Sequence, residues 1–352
     1  MMVALIGWGY VTALIVSLRY IRHEFKEQIL TRGQVRLYYG CLHAFILTML
    51  AAVVVDNMGL LWVAIEGTTL ATTLLIAFYK KDASIEAAWK YLILCSIGIS
   101  LGLLGILMLN YAAVSSVGLS PVEALSFRAL AAHAAELPRD VLQWAFIFIF
   151  VGLGTKVGLF PMHTWLPDAH SKAPSPISAL LSGVLLNVAL YAILRFKYIV
   201  DLSLNDTVWT GNFFTVFGAL SVIGPAFILL QQRNYKRMLA YSSIEHMGLA
   251  SLAIGLGPIG MIVALMHIIG HTVIKPMLFF AAGEILLHYK STKIGVVQNL
   301  MKTLPITGVY FMIGLLLITA VPISPLFASE LRFFSKALMV HPFLSLALLV
   351  SL

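Results

Sequence analysis

The stretch from Phe150 to Leu194, FVGLGTKVGLFPMHTWLPDAHSKAPSPISALLSGVLLNVALYAIL, decides the fold. An apolar run carries a single lysine, Lys156. The run is expected to stop at Pro161, because proline lacks the backbone N–H and its ring clashes with the preceding turn. A polar connector follows with His163, Trp165, Asp168, His170 and Lys172. Pro174 and Pro176 then open a second apolar helix. In a water-soluble domain Lys156 would be ordinary. At lipid depth an ionisable group is costly and usually functional.

Composition puts this stretch at lipid depth. Hydrophobic residues make up 60% of the chain, charged residues 11%, and mean hydropathy is +0.95. Ordinary globular domains carry about 25% charged residues. The sequence therefore reads as an all-α polytopic membrane protein. At about 20 residues per span its length allows roughly ten spans. Residues 1–352 are expected to form one integral bundle, with no soluble block long enough for a second domain. Apolar spans are expected at 2–18, 35–55, 58–79, 88–110, 142–160, 174–194, 211–231, 237–254, 257–287 and 305–338, with an eleventh from about 342. Helices are required, since backbone groups in lipid must bond within the segment and nothing here alternates as barrel strands do. The first run, Met2 to Leu18, lacks a preceding basic residue and is followed by Arg19 and Arg22, so it is not read as a signal peptide.

The net charge of +8 does not indicate a nucleic-acid partner. Loops near 19–36, 80–90, 163–172, 232–237 and 288–302 hold 15 of the 23 Lys and Arg, and the opposite loops hold 4. That asymmetry follows the positive-inside rule and places the basic loops on the cytoplasmic side of a prokaryotic inner membrane. The two cysteines, Cys41 and Cys95, lie in apolar stretches with no C-x-x-C spacing. A cysteine-ligated cluster or zinc site built by this chain alone is excluded. The longest loop, 111–140, is Ala/Leu-rich with scattered Glu123, Arg128 and Glu136, which predicts an amphipathic surface helix.

The remaining intramembrane charges are few. Glu66 sits about a third of the way into its span, and a pair with Lys156 would make a proton relay. The blander alternatives are a protonated carboxyl at Glu66 and a snorkelling Lys156. Glu245 and His246 lie one turn beyond Ser242 and Ser243, and an interhelical polar knot is their blander reading. His267, His271 and Lys275 recur every four residues and form one helical stripe about 12 Å long. Two imidazoles followed by an amine suit proton hopping. No third strong ligand stands beside the two histidines in sequence, so no metal is expected. Pro276 should bend this helix and free carbonyls for Lys275. Glu330 follows Pro322 and Pro325, which break the last full span. Transporters place ion sites at such breaks. Glu66 followed by a broken helix with Lys156, then Glu245 followed by a broken helix with Glu330, also suggests inverted five-helix repeats with two discontinuous helices.

The motifs GLGTKVGLFPMHTWLPDAHSKAPSPISALLSG, KRMLAYSSIEHMG and HIIGHTVIKPMLFFAAGE resemble the antiporter-like subunits of respiratory complex I, the Mrp antiporters and the group 4 membrane-bound hydrogenases. They cover most of 56–336. The resemblance implies a mid-membrane proton path with a glutamate at Glu66, a lysine at Lys156, a central lysine and a terminal charge at Glu330. Asn187 stands where many quinone-reducing relatives carry lysine, so the central role falls to Lys275. That substitution, with Glu245 ahead of His246, looks most like the component F branch of hydrogenase 4. By the same resemblance the chain lacks the family's first two and last helices. The expected function is proton translocation within an energy-converting nickel–iron hydrogenase complex of the hydrogenase 4 or formate hydrogenlyase kind. The alternatives are a complex I subunit, an Mrp-type Na+/H+ antiporter subunit, and a structural anchor without transport. The chain has no redox motif, so no cofactor is expected in it. The nickel–iron centre and iron–sulfur clusters would belong to partner subunits, namely a peripheral hydrogenase arm and further membrane subunits.

Overall fold

The computed structural model describes residues 1–340 and, beyond them, positions 342, 345, 346 and 348. The eleventh span expected from about 342 lies outside the described residues, apart from those isolated positions. The chain runs as α1 (Met2–Lys26), α2 (Arg32–Val54), α3 (Met58–Ile76), α4 (Asp82–Ala112), α5 (Arg139–Val157) and α6 (Trp165–Lys172). It continues as α7 (Ser175–Leu204), α8 (Val208–Leu229), α9 (Tyr235–Gly255), α10 (Pro258–Tyr289), α11 (Pro305–Ile318) and α12 (Pro325–Val340). Eight of the described helices are long and apolar enough to cross a membrane: α1 to α5, α7, α8 and α10. Helix α9 is not among them; it carries Glu245, His246 and several hydroxyls, and it runs through the bundle buried along most of its length. No strand occurs among the described residues.

Local chemistry sets most boundaries. Thr31 and Gln34 form a reciprocal capping box at the start of α2. Asn57 caps α3 and Asn234 caps α9 through their side-chain oxygens. Proline opens α10 and α11 where its missing N–H is harmless. Helix α5 ends at Val157 rather than at Pro161. Gly158 takes the left-handed conformation, its N–H reaches the Thr155 carbonyl, and the Leu159 N–H reaches the Gly154 carbonyl. This is a Schellman end, and a side chain at Gly158 would resist its φ of 79°. Pro276 also departs from expectation, for α10 continues through it as one helix of 32 residues.

Two breaks interrupt the transmembrane path, at 158–164 between α5 and α6 and at 319–324 between α11 and α12. With α5–α6 and α11–α12 each taken as one broken span, the first break and the second lie five spans apart, as do Glu66 on α3 and Glu245 on α9. Packing repeats as well. Helix α2 packs on α3 and α4 on α5, while α8 packs on α9 and α10 on α11 and α12. An odd interval places the two copies in opposite directions across the bundle. Loop pairings agree with alternate faces. The Tyr235 N–H bonds to the Thr292 carbonyl on the Lys/Arg-rich side, and the Phe127 N–H bonds to the Asp56 carbonyl on the other.

The 111–140 segment forms short pieces rather than one surface helix. A π-helical turn at Ala113–Val117, 3-10 turns at Glu123–Leu125 and Ala134–Glu136, and the brief helix Phe127–Ala132 follow one another. Gly118 and Pro121 punctuate the segment too often for a longer helix.

Candidate functional site

The buried polar groups form two clusters. In the first, Lys156 sits in the last turn of α5, fully buried. Its Nζ donates to Thr69 Oγ1 at 2.9 Å and to the Tyr91 hydroxyl at 2.5 Å. The Tyr91 hydroxyl is 2.6 Å from Thr72 Oγ1, which in turn reaches the Thr68 carbonyl. With the ammonium donating, this chain runs one way, from Lys156 through Tyr91 and Thr72 to a backbone carbonyl. Glu66, half-buried on α3, accepts from Ser96 at 2.8 Å, and its second oxygen has no partner among the described residues. The sequence suggested a direct Glu66–Lys156 pair. Among the described residues Lys156 makes no ion pair within 4.0 Å. Tyr91 and Thr69 occupy its donors instead, although Glu66 remains within electrostatic reach.

The second cluster joins α9, α10 and α12. Lys275 is fully buried, and its Nζ donates to the Leu239 carbonyl at 2.8 Å and to Ser242 Oγ at 2.5 Å. The carbonyl serving Lys275 thus comes from α9, not from a kink at Pro276. One turn back on α10, the two rings of His271 and His246 stand 5.5 Å apart, and neither His271 nitrogen has a partner among the described residues. His246 Nδ1 lies 3.1 Å from His267 Nε2, and His267 Nδ1 lies 3.0 Å from Ser329 Oγ. Ser329 spends its proton on the Leu326 carbonyl. His267 Nδ1 therefore donates to Ser329, and His267 Nε2 accepts from His246. Glu330, half-buried beside the second break, brings a carboxylate oxygen within 4.8 Å of ligand atoms on His246 and His267. Sequence order hid that third group. A cavity of about 290 Å3 reaches Ser242, Glu245, His246 and Glu330.

Between the clusters stand uncharged groups. Asn187 Nδ2 donates to Thr272 Oγ1 at 2.9 Å and to the Gly183 carbonyl, while its Oδ1 is unpaired among the described residues. A π-helical turn, Leu181–Leu185, immediately precedes Asn187 in α7, and such turns concentrate at functional sites. Gly183 there packs against Pro276, leaving less than a Cβ of room. Ser182 and Ser243 bond at 2.7 Å across α7 and α9.

The connector residues divide. Asp168 faces the surface with Arg237 and, at 3.5 Å, Lys90. His163 stacks on Phe160 at 4.8 Å and stands 6.2 Å from the Tyr241 ring of α9. His170 is fully buried, stacks on Phe279 at 5.2 Å, and lies within electrostatic reach of Lys275 and Lys236. Thr69, Thr72, Tyr91, Thr272 and Ser329 escaped sequence reading, since hydroxyls in apolar helices carry no charge signal. Lys236 escaped it by being counted as a loop residue.

Two broken helices, each with an ionisable group beside its break, and lysines buried at hydroxyl partners define a polytopic ion-transporter-like membrane subunit. Residues 55–352 match the family described as NADH:quinone oxidoreductase/Mrp antiporter, TM, and the chain belongs to that family. It is 41% identical over 345 residues to the hydrogenase-4 component F homolog of Methylacidiphilum infernorum, covering 98% of this chain and 72% of that protein. It is 29% identical to hydrogenase-4 component B of Escherichia coli, covering 94% of this chain and 48% of that protein, so it spans about half of that relative's length. Among solved structures it resembles a subunit of the membrane-bound sulfane sulfur reductase, an archaeal respiratory membrane complex. The TM-score is 0.84 at 28% identity, over 99% of this chain and 71% of that one.

Proposed function

We propose that this chain is the proton-translocating membrane subunit of an energy-converting complex of the nickel–iron hydrogenase type. The observation that carries the reading is the directed chain from His246 through His267 to Ser329, beside Glu330 at a helix break, with Lys275 two turns beyond His267 on α10 and His271 between them. A proton leaving Lys275 has imidazole nitrogens next in line, and a carboxylate stands at the far end. Lys156 and Glu66 form the corresponding site in the first repeat, with Thr69 and Tyr91 holding the Lys156 ammonium and Ser96 holding Glu66. The donor set favours H+ over Na+, because a hard alkali cation seeks oxygen ligands while two of the three convergent groups here are imidazoles. Redox chemistry would reside in partner subunits, and the similarity to hydrogenase-4 component F favours a hydrogenase arm over an NADH-oxidising one.

The test is ion flux by the assembled complex reconstituted in vesicles. Lys156→Met and Lys275→Ala should each abolish H+ movement while assembly persists. Parental flux in both would leave only the anchoring role. Copurification with a cysteine-rich nickel–iron large subunit, rather than with an NADH-oxidising module, decides the partner.

A further inference from the structure

The Lys/Arg-rich face contains a cavity of about 330 Å3 to which all five basic loops contribute. Loops that are far apart in sequence converge there through Glu24, Lys81, Lys172, Lys236 and Lys290. Glu24 stands out, because it is only 5% exposed yet is a carboxylate at the rim of a basic cavity. The Tyr79 hydroxyl lies 2.9 and 3.0 Å from its two oxygens, and the Tyr20 hydroxyl lies 3.2 Å from that of Tyr79. Tyr79 gives its proton to Glu24 and so accepts from Tyr20. Lys236, at the inner wall, is fully buried with a single bond, from Nζ to the Ala173 carbonyl at 2.7 Å. Two of its three donors are left for other partners.

Inward of Lys236 lies His170. Neither of its ring nitrogens has a hydrogen-bond partner among the described residues, although the ring is fully buried. Buried imidazole nitrogens are ordinarily satisfied, by protein or by water. His170 is within electrostatic reach of Lys236 on the cavity side and of Lys275 and His271 on the relay side. Glu24 is within reach of Lys236 in turn. A second cavity, lined by Ser242, Glu245, His246 and Glu330, meets the same cluster directly, whereas this set leads to it from the Lys/Arg-rich loops.

We propose that this cavity is the mouth through which the relay takes protons from the basic face, with Glu24 as the proton-accepting group and Lys236 and His170 as the links to Lys275. The proposal rests on the proton-translocating reading above. A proton from water adds to the Glu24 carboxylate. The acid then passes it to the neutral amine of Lys236, leaving carboxylate and ammonium. The ammonium returns to amine as the proton moves to a His170 nitrogen, with water bridging where no direct contact exists, and from there to the Lys275 amine. Each transfer leaves its donor ready for the next proton, and no other reagent is consumed. Groups facing Glu24 are Tyr20, Tyr79, Lys236 and Lys290, and Lys172 also faces Lys236.

The experiment measures H+ uptake from the basic face by the intact complex in oriented vesicles. Glu24→Ala and Glu24→Gln should slow uptake at least tenfold with assembly unchanged. Formate or azide, small weak acids that carry protons, should restore Glu24→Ala when added on the basic side and not on the other. His170→Phe should remain slow with either addition, because its defect lies inward of the mouth. Glu24→Gln at the parental rate, in preparations where Lys156→Met is inactive, overturns the mouth and leaves the translocating reading intact. A slow Glu24→Ala that no weak acid restores shows a structural role for the carboxylate and overturns the assignment as well. Parental uptake by Lys156→Met removes the relay that the mouth would feed, and the inference falls with it.

Discussion

The Lys156 ammonium lies 2.5 Å from the Tyr91 hydroxyl, so the charge that α5 carries into the bundle is held by a neutral side chain of α4. An uncompensated buried charge costs several kcal/mol, and oriented hydroxyls offset part of it. Tyr91→Phe removes one charge-assisted bond worth about 1.5–3 kcal/mol. The expected result is H+ flux lowered roughly tenfold or more in assembled complex, with Thr69→Val giving a smaller loss. Parental flux in Tyr91→Phe would show that the contact is incidental.

Glu66 and Lys156 are expected to act together, because the carboxyl lies within electrostatic reach of the ammonium. Glu66→Gln and Lys156→Met should each depress flux, and the double variant should lose less than the product of the two single effects. Strict independence of the two defects contradicts the coupling, because residues in one network do not add.

Lys275 is expected to be indispensable, since Asn187 has only an amide and cannot exchange a proton near neutral pH. Lys275→Ala should abolish flux, and adding Asn187→Lys should restore part of it. The Asn187 amide already bonds to Thr272 on α10, so a lysine there would enter beside the lost one. No rescue in a complex that assembles normally would place the central group elsewhere.

The outer loop is expected to be dispensable for flux. Glu123 is held by Ser120, His133 by Glu136, and Arg128 is exposed at 3.9 Å from Asp56. Such exposed contacts are screened by water and contribute little. Replacing Glu123 and Glu136 with Gln, together with Arg128→Gln, should leave flux within about twofold of the parent. A loss as large as that of Lys156→Met would assign the loop a role in transport.

Stability should depend on a glycine seam between α4 and α5. A Cβ on Gly152 would fall 2.5 Å from the Gly102 nitrogen and the Gly98 carbonyl oxygen, which are backbone atoms with no freedom to yield. Small residues permit such close approach in lipid. Gly152→Ala should destabilise the complex by about 1–3 kcal/mol, as overpacking does, and lower its midpoint in a thermal-aggregation assay in detergent. An unchanged midpoint would mean that the two helices separate freely.

The sequence by itself determined the membrane class, the approximate spans, both helix breaks and the short set of intramembrane charges. Those properties are local. Apolar length sets a span, proline and glycine interrupt it, and a charge in an apolar run is visible without knowing its neighbours. Helical periodicity was enough to put His267, His271 and Lys275 on one face. Only the tertiary structure decided what each charge meets. Lys156 finds Tyr91 across 65 residues of chain, and His267 finds Ser329 across 62. Neither partner has a sequence signal, because a hydroxyl in an apolar helix usually bonds its own backbone. Which helices lie side by side depends on close packing spread over the whole bundle, such as the Gly98–Gly102–Gly152 seam. Glu24 and Lys236, assigned to basic loops by their position, became buried groups on one cavity for the same reason: the fold bends distant loops together, and burial is a property of that arrangement and not of the residues.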